Sequence, residues 1–343
     1  MPMRQRQKIQ KMLRGGGMST KVYSILDPQT RITNITKAAD IIKNGGLVAF
    51  PTETVYGLGA NALDEAACAK VYAVKGRPSD NPLIMHISDN MTLEGIVKNV
   101  SPEATKLMNA FWPGSLTIIF QSNVPRGTYS DTVALRMPKN LMARLLIHLA
   151  EVPIAAPSAN LSGRPSPTTA AHVLEDLGGK IDMILDGGPC EVGLESTVID
   201  CSGHTPTILR PGAVTREMIE KLIGSVDLIS EVAADEAPKS PGMKYRHYAP
   251  QAKLTIVTGE TIKARAKLEE LAKAAEGKKV KIMTVEDMGG NHQAIAANLF
   301  DMLRRCDEEG LEEVFVEAVD EEGLGVAIMN RLKKAASYNI LKV

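Results

Sequence analysis

Residues 49–86 read AFPTETVYGLGANALDEAACAKVYAVKGRPSDNPLIMH, and the rest of the chain is read outward from them. Residues 47–50 form a short apolar run that predicts a buried strand. Pro51 ends it and opens a polar loop carrying Thr52, Glu53, Thr54 and Tyr56, in which Gly57 and Gly59 let the backbone bend. Residues 64–75 predict a helix with Ala67, Val71 and Val74 on one face, Gly76 as its C′ residue and Pro78 as its stop. A second strand, at 83–87, carries His86. Between helix and strand stand Lys75, Arg77, Ser79, Asp80 and Asn81. Two cations and several short polar side chains on loops beside strand ends suit an anionic ligand, although the same residues also read as an ordinary helix terminus. The stretch contains no Gly-x-x-x-x-Gly-Lys-Ser/Thr loop, and Gly57-x-Gly59 lacks the third glycine of a dinucleotide fingerprint.

Downstream the same alternation continues. Strand-like runs recur at 116–120, 132–137, 153–156, 183–185, 196–200 and 207–209, with helical patterns at 36–44, 101–111, 141–150 and 168–177. Ser101 and Pro102 read as N-cap and first residue of the second of these helices. This order predicts an α/β fold with a twisted sheet, and its uneven connections predict mixed rather than purely parallel strands. Residues 231–252, with three prolines and a glycine before position 251, break the pattern and read as a linker. Residues 253–343 resume it with strands at 254–257, 280–284 and 314–318, each followed by a helix, which predicts a small Rossmann-like parallel α/β domain. Gly323-x-Gly325 opens the last helix and reads as a packing turn before it reads as a phosphate site.

Composition sets wide bounds. A chain of 343 residues suits about two domains. Forty Lys and Arg balance forty Asp and Glu, so no global basic field draws it to nucleic acid. The four cysteines lack C-x-x-C spacing, which disfavours a zinc ribbon, and free thiols in a reducing cytoplasm are expected. No apolar run approaches the ~18 residues of a membrane span. Residues 1–18 are basic and acid-free, and read as a disordered or extra extension, with a transit peptide as the alternative.

The runs PTETVYGLG, KGRPSDNPL, MHI, FWPGSLT, TVALRMP, APSANLSGRPSPT, ESTVID, ILRPG and SPGMKYRHYAP follow one another in order within residues 20–343. Together they resemble the YrdC-like family of L-threonylcarbamoyladenylate synthases in its two-domain form. The resemblance implies a YrdC-like catalytic domain at 19–230, a linker and lid at 231–252, and the small C-terminal domain at 253–343. It implies formation of threonylcarbamoyl-AMP and pyrophosphate from L-threonine, bicarbonate or CO2, and ATP, for threonylcarbamoyladenosine modification of tRNA. The product would pass to a tRNA threonylcarbamoyltransferase, with at most weak or indirect tRNA contact and no membrane partner.

Carried over by position, the resemblance places Thr54, His86, Arg136, Ala156 and Ser196 in the threonine pocket. An arginine fork suits the substrate carboxylate. It places Arg77, Asn81, Thr132, Ser158, Asn160, Ser166, Arg210 and Tyr248 about ATP, and gives Lys75 and Arg77 the catalytic role. Tyr245, His247 and Tyr248 would fold over the nucleotide. Mg2+ is expected with ATP, held by phosphates and water, and no protein metal site is expected. From the residues alone, His86 among apolar neighbours also reads as a core histidine, and Arg210-Pro211-Gly212 as a plain turn. Glu53 and Glu195 lie near the motifs without an assigned role. The competing function is a non-catalytic module for double-stranded RNA or tRNA, which the neutral charge balance disfavours. A carbamoyltransferase resembling hydrogenase maturation factors would need a longer chain and paired cysteines.

Overall fold

A computed structural model describes residues 19–124, 131–229 and 247–343. The extension at 1–18 and the linker segment 231–246, with Tyr245, lie outside the described residues.

The first unit runs β1 (Lys21–Ser24), α1 (Pro28–Lys43), β2 (Val48–Pro51), β3 (Tyr56–Asn61), α2 (Glu65–Lys75), β4 (Ile84–His86), α3 (Pro102–Phe111), β5 (Leu116–Gln121) and β6 (Thr132–Arg136). It continues with α4 (Leu141–Ala150), β7 (Ile154–Ala155), α5 (Ala170–Leu177), β8 (Met183–Asp186), β9 (Thr197–Asp200), β10 (Thr207–Arg210), α6 (Arg216–Ile223) and β11 (Asp227–Leu228). Its strands lie in the order β1-β8-β2-β3-β7-β4-β6-β5-β9-β10-β11. Pairing is mixed: β4 and β6 run parallel, whereas β2 with β3, β5 with β6 and β9 with β10 run antiparallel.

Successive residues of a strand face opposite sides, and β2 shows the consequence. Leu47 and Ala49 enter one core with Leu58, Met85 and Leu135, while Val48 and Phe50 enter another with Ile35, Ile42, Leu146 and Ile147. Burying a side chain such as Phe50 contributes roughly 1.5–3 kcal/mol. Helix ends follow local rules. The Asp64 side chain accepts from Ala66 N and Ala67 N, and Gly76 closes α2 at φ 59°.

The structure corrects two local expectations here. The region of Gly57 and Gly59 is not a bend but strand β3, antiparallel to β2. A Cβ at Gly59 would lie 2.8 Å from Ile154 Cγ2 and 2.9 Å from the Phe50 ring, so this glycine serves close strand packing. Helix α1 begins at Pro28 rather than at residue 36, because Asp27 caps it and the polar Asn34 donates its side-chain amide to Ser24 O.

The second unit runs β12 (Lys253–Thr258), α7 (Thr261–Ala274), β13 (Val280–Met283), α8 (Val285–Met288), α9 (His292–Glu308), β14 (Glu313–Glu317), α10 (Leu324–Ala335) and β15 (Ile340–Lys342). Its sheet, β13-β14-β12-β15, is parallel throughout. β15 and the short α8 add to the expected βαβαβα order. At Gly325 a Cβ would collide with the Asp320 carbonyl, which makes Gly323-x-Gly325 a close-packed turn.

The units share a core. Val55 and Leu194 of the first join Ile295, Leu299, Phe300 and Leu332 of the second in one cluster. Two buried arginines also cross the boundary. Arg304 donates to Asp176 Oδ2 at 2.7 Å and to Pro165 O at 2.6 Å, and Arg331 pairs with Glu195 at 3.1 Å.

Candidate active site

The strand ends, the segment 156–166 and the last described linker residues enclose a recess. Thr54, His86, Arg136, Ala156 and Ser196 all line it, as do Lys75, Arg77, Ser158, Asn160, Ser166, Arg210 and Tyr248. Asn81 and Thr132 do not. Asn81 is buried behind Arg77, accepting from Arg77 Nη2 at 2.8 Å, and Thr132 begins β6 opposite Gln121. Thr52, Ser162, Glu195 and His247 complete much of the polar wall.

Arg136 ends β6 in register with His86 of β4. Its Nη2 donates to Glu53 Oε1 at 2.6 Å and its Nε to Gly114 O at 3.2 Å. The other Glu53 oxygen accepts from Lys139 N at 3.0 Å. Burial pushes the Glu53 carboxyl up, but Arg136 and these hydrogen bonds outweigh it and hold it below the usual carboxylate range. His86 is driven the other way. Burial, helped by the Arg136 charge, pushes its imidazole down to about 3, so it is neutral, with Nδ1 3.2 Å from Ile84 O. The hydroxyls of Thr52 and Thr54 lie 2.9 Å apart, and those of Thr117 and Ser196 lie 2.7 Å apart.

At the other end, Lys75 Nζ donates to Ser158 O at 2.5 Å and to Asn160 O, tying the end of α2 to the loop beyond β7. Burial and the neighbouring Arg77 push its ammonium well below the ordinary lysine value. Burial pushes Arg77 down to about 10. Arg77 donates from Nε to Asn81 O and from Nη2 to Pro82 O, so the Pro78–Pro82 turn that follows α2 orients its fork. Arg210 donates from Nε to Ser196 O at 3.0 Å. Ser166 Oγ donates to Glu195 Oε1 at 2.5 Å. Tyr248, held at φ 65°, stacks on Phe300 of α9 with centroids 5.2 Å apart. Beside it, burial pushes the His247 imidazole down to about 3, and its buried Nε2 has no partner among the described residues.

Among the described residues the charged lining is Lys75, Arg77, Arg136 and Arg210 against Glu195. Such a wall suits a polyanion together with a small carboxylate. Sequence reasoning left Glu53 and Glu195 without roles, because their value lies in the distant cations they meet. Thr52 was detectable, since it sits two residues before Thr54 in the same loop.

Fold and site thus define a two-unit α/β protein with a cation-lined recess closed partly by the linker residues His247 and Tyr248. The family model Sua5_yciO_yrdC, described as telomere recombination, matches residues 40–212. The model described as threonylcarbamoyl-AMP synthase, C-terminal domain, matches residues 214–337. The chain is 50% identical over 322 residues to the threonylcarbamoyl-AMP synthase of Pyrococcus abyssi, covering 89% of this chain and 95% of that one. It is 44% identical over 343 residues to that of Bacillus subtilis, covering 94% and 97%. The crystal structure of P. abyssi Sua5 complexed with L-threonine superposes with a TM-score of 0.91 at 48% identity, covering 94% of this chain and 100% of that one. The chain belongs to the threonylcarbamoyl-AMP synthase family, in its form with the Sua5 C-terminal domain.

Proposed function

We propose that this protein makes threonylcarbamoyl-AMP and pyrophosphate from L-threonine, bicarbonate or CO2, and ATP, for threonylcarbamoyladenosine modification of tRNA. The observation that carries this reading is the convergence on one recess of Arg136 with its threonine and serine neighbours, and of Lys75, Arg77 and Arg210. In the reaction the threonine amine becomes a carbamate, a carbamate oxygen attacks the α-phosphorus of ATP, and pyrophosphate leaves. Negative charge gathers on the phosphates, so positioned cations and donors supply most of the catalysis.

Arg136 takes the threonine carboxylate, with Thr54, Ser196 and the Ala156 backbone about the rest of the amino acid. Neutral His86 shapes the pocket without adding charge. Arg77, Arg210, Ser158, Asn160 and Ser166 take the nucleotide. Lys75 locks the loop at 158–160 beside the phosphates. Asn81 acts through Arg77, and Thr132 lies outside the recess. His247 Nε2 suits a phosphate or ribose oxygen, and Tyr248 excludes water from the mixed anhydride.

The donor set does not suit a protein-held magnesium site. The recess carboxylate, Glu195, is engaged by Ser166 and Arg331, and no group of three metal-ligating side chains gathers among the described residues. Mg2+ would arrive on the triphosphate. We divide the chain into a catalytic domain at 19–230, a linker at 231–252 and a small domain at 253–343. We place it in the cytoplasm, where its four buried cysteines stay free. No described helix is long and apolar enough to cross a membrane. The product is a labile anhydride, so a tRNA threonylcarbamoyltransferase must consume it.

The test is pyrophosphate release from ATP with L-threonine and bicarbonate omitted in turn. Release that needs both supports the reading, and release indifferent to threonine overturns it.

A further inference from the structure

We propose that Arg331, on α10 of the second unit, is a positioning residue for the nucleotide end of the recess. It is fully buried and does not line the recess itself. Its fork nevertheless grips three segments that do. Nε donates to Glu195 Oε2 at 3.1 Å and Nη2 to Glu195 O at 3.4 Å. Nη1 donates to Pro211 O at 2.6 Å. The guanidinium carbon lies 5.9 Å from the centre of the Tyr248 ring, within cation–π range.

Each grip reaches the recess, directly or at one remove. Glu195 holds Ser166 through its other oxygen and precedes Ser196 in the chain. Pro211 follows Arg210, whose Nε is bonded to Ser196 O. Tyr248 lines the recess directly. Burying a guanidinium is costly unless its donors are met, and here Glu195 and Pro211 of the first unit meet them, together with the Asn330 side chain of α10 itself. A planar fork serves all of them together, which a lysine cannot do. The second unit therefore supplies part of the geometry of this site. That the gripped end is the nucleotide end rests on the functional reading above.

The test measures ATP and L-threonine binding separately by calorimetry, with urea unfolding alongside, for wild type, Arg331→Met, Arg331→Lys and the double variant Glu195→Gln/Arg331→Met. We expect Arg331→Met to weaken ATP about tenfold or more while threonine changes by less than about twofold. Arg331→Lys keeps the charge and should keep most of the stability, yet it should still lose ATP affinity. The double variant removes the stranded Glu195 charge and should recover stability. If it also recovers ATP affinity, Arg331 only stabilises the interface and the proposal is overturned. ATP affinity unchanged in Arg331→Met overturns it as well. Binding is read without turnover. A wild type that binds ATP but releases no pyrophosphate would defeat the synthase reading and leave the Arg331 result standing, whereas a wild type that fails to bind ATP would defeat both.

Discussion

Arg136 and Glu53, 83 residues apart in the chain, form a buried ion pair with Nη2 2.6 Å from Oε1. Glu53 reaches Arg136 from behind the recess wall and leaves the guanidinium at that wall. Removing one partner of a buried pair strands the other charge, at a cost of about 3–5 kcal/mol. Glu53→Ala should lose about that much stability in urea unfolding, and Glu53→Gln less, because its amide oxygen still accepts. Both variants should bind L-threonine more weakly. Unaltered threonine affinity would separate Glu53 from the site.

The same pair sets an acid limit. The folded-state pKa of Glu53 is depressed below its ordinary 4.5. Its contribution is therefore complete above about pH 4.5 and is lost as pH falls through the lower folded value. The stability gap between wild type and Glu53→Gln should be constant at neutral pH and should narrow below about pH 4.5. A gap that widens on acidification would reverse the assignment.

His86 is held near 3 by burial and the Arg136 charge. Its imidazole should stay neutral from about pH 5 upward, so threonine binding should show no inflection near the ordinary histidine value of ~6.5. NMR of the imidazole protons checks this directly, and a His86 resonance titrating between pH 6 and 7 would contradict it.

Lys75 ties the end of α2 to the loop carrying Ser158 and Asn160 through two carbonyls. Lys75→Met should leave those carbonyls unmet and remove the donor that holds this loop. Losing one preorganised electrostatic partner typically costs about 10²–10³ in kcat. Pyrophosphate release should fall by that order, and a change below about threefold would remove Lys75 from the catalytic set.

Tyr248 stacks on Phe300 and lines the recess. Tyr248→Ala should let water reach the anhydride, so pyrophosphate release should outrun the threonylcarbamoyl-AMP recovered by mass spectrometry. An unchanged lifetime of the intermediate would deny Tyr248 that role.

Much of this was legible in the chain. Gly76 ends α2 as expected, since such a stop acts within a few residues. The mixed sheet followed from strand spacing, and motif order brought twelve of the expected site residues to one recess. Asn81 and Thr132 lie outside that recess, because membership of a motif does not say which way a side chain is held. Strand β3 was missed because glycines favour bends in isolation. Here their missing side chains admit Phe50 and Ile154 instead.

By itself, then, the sequence determined most of the helices, the alternation that makes two α/β units, and the family motifs, all of which depend on near neighbours or on recognisable order. Only the tertiary structure decided that Glu53 backs Arg136, that Arg331 reaches Glu195 from 136 residues away, and that Val55 and Leu194 belong to the second unit's core. Pairing, desolvation and shared burial are properties of surroundings, and those surroundings exist only once distant segments have packed together.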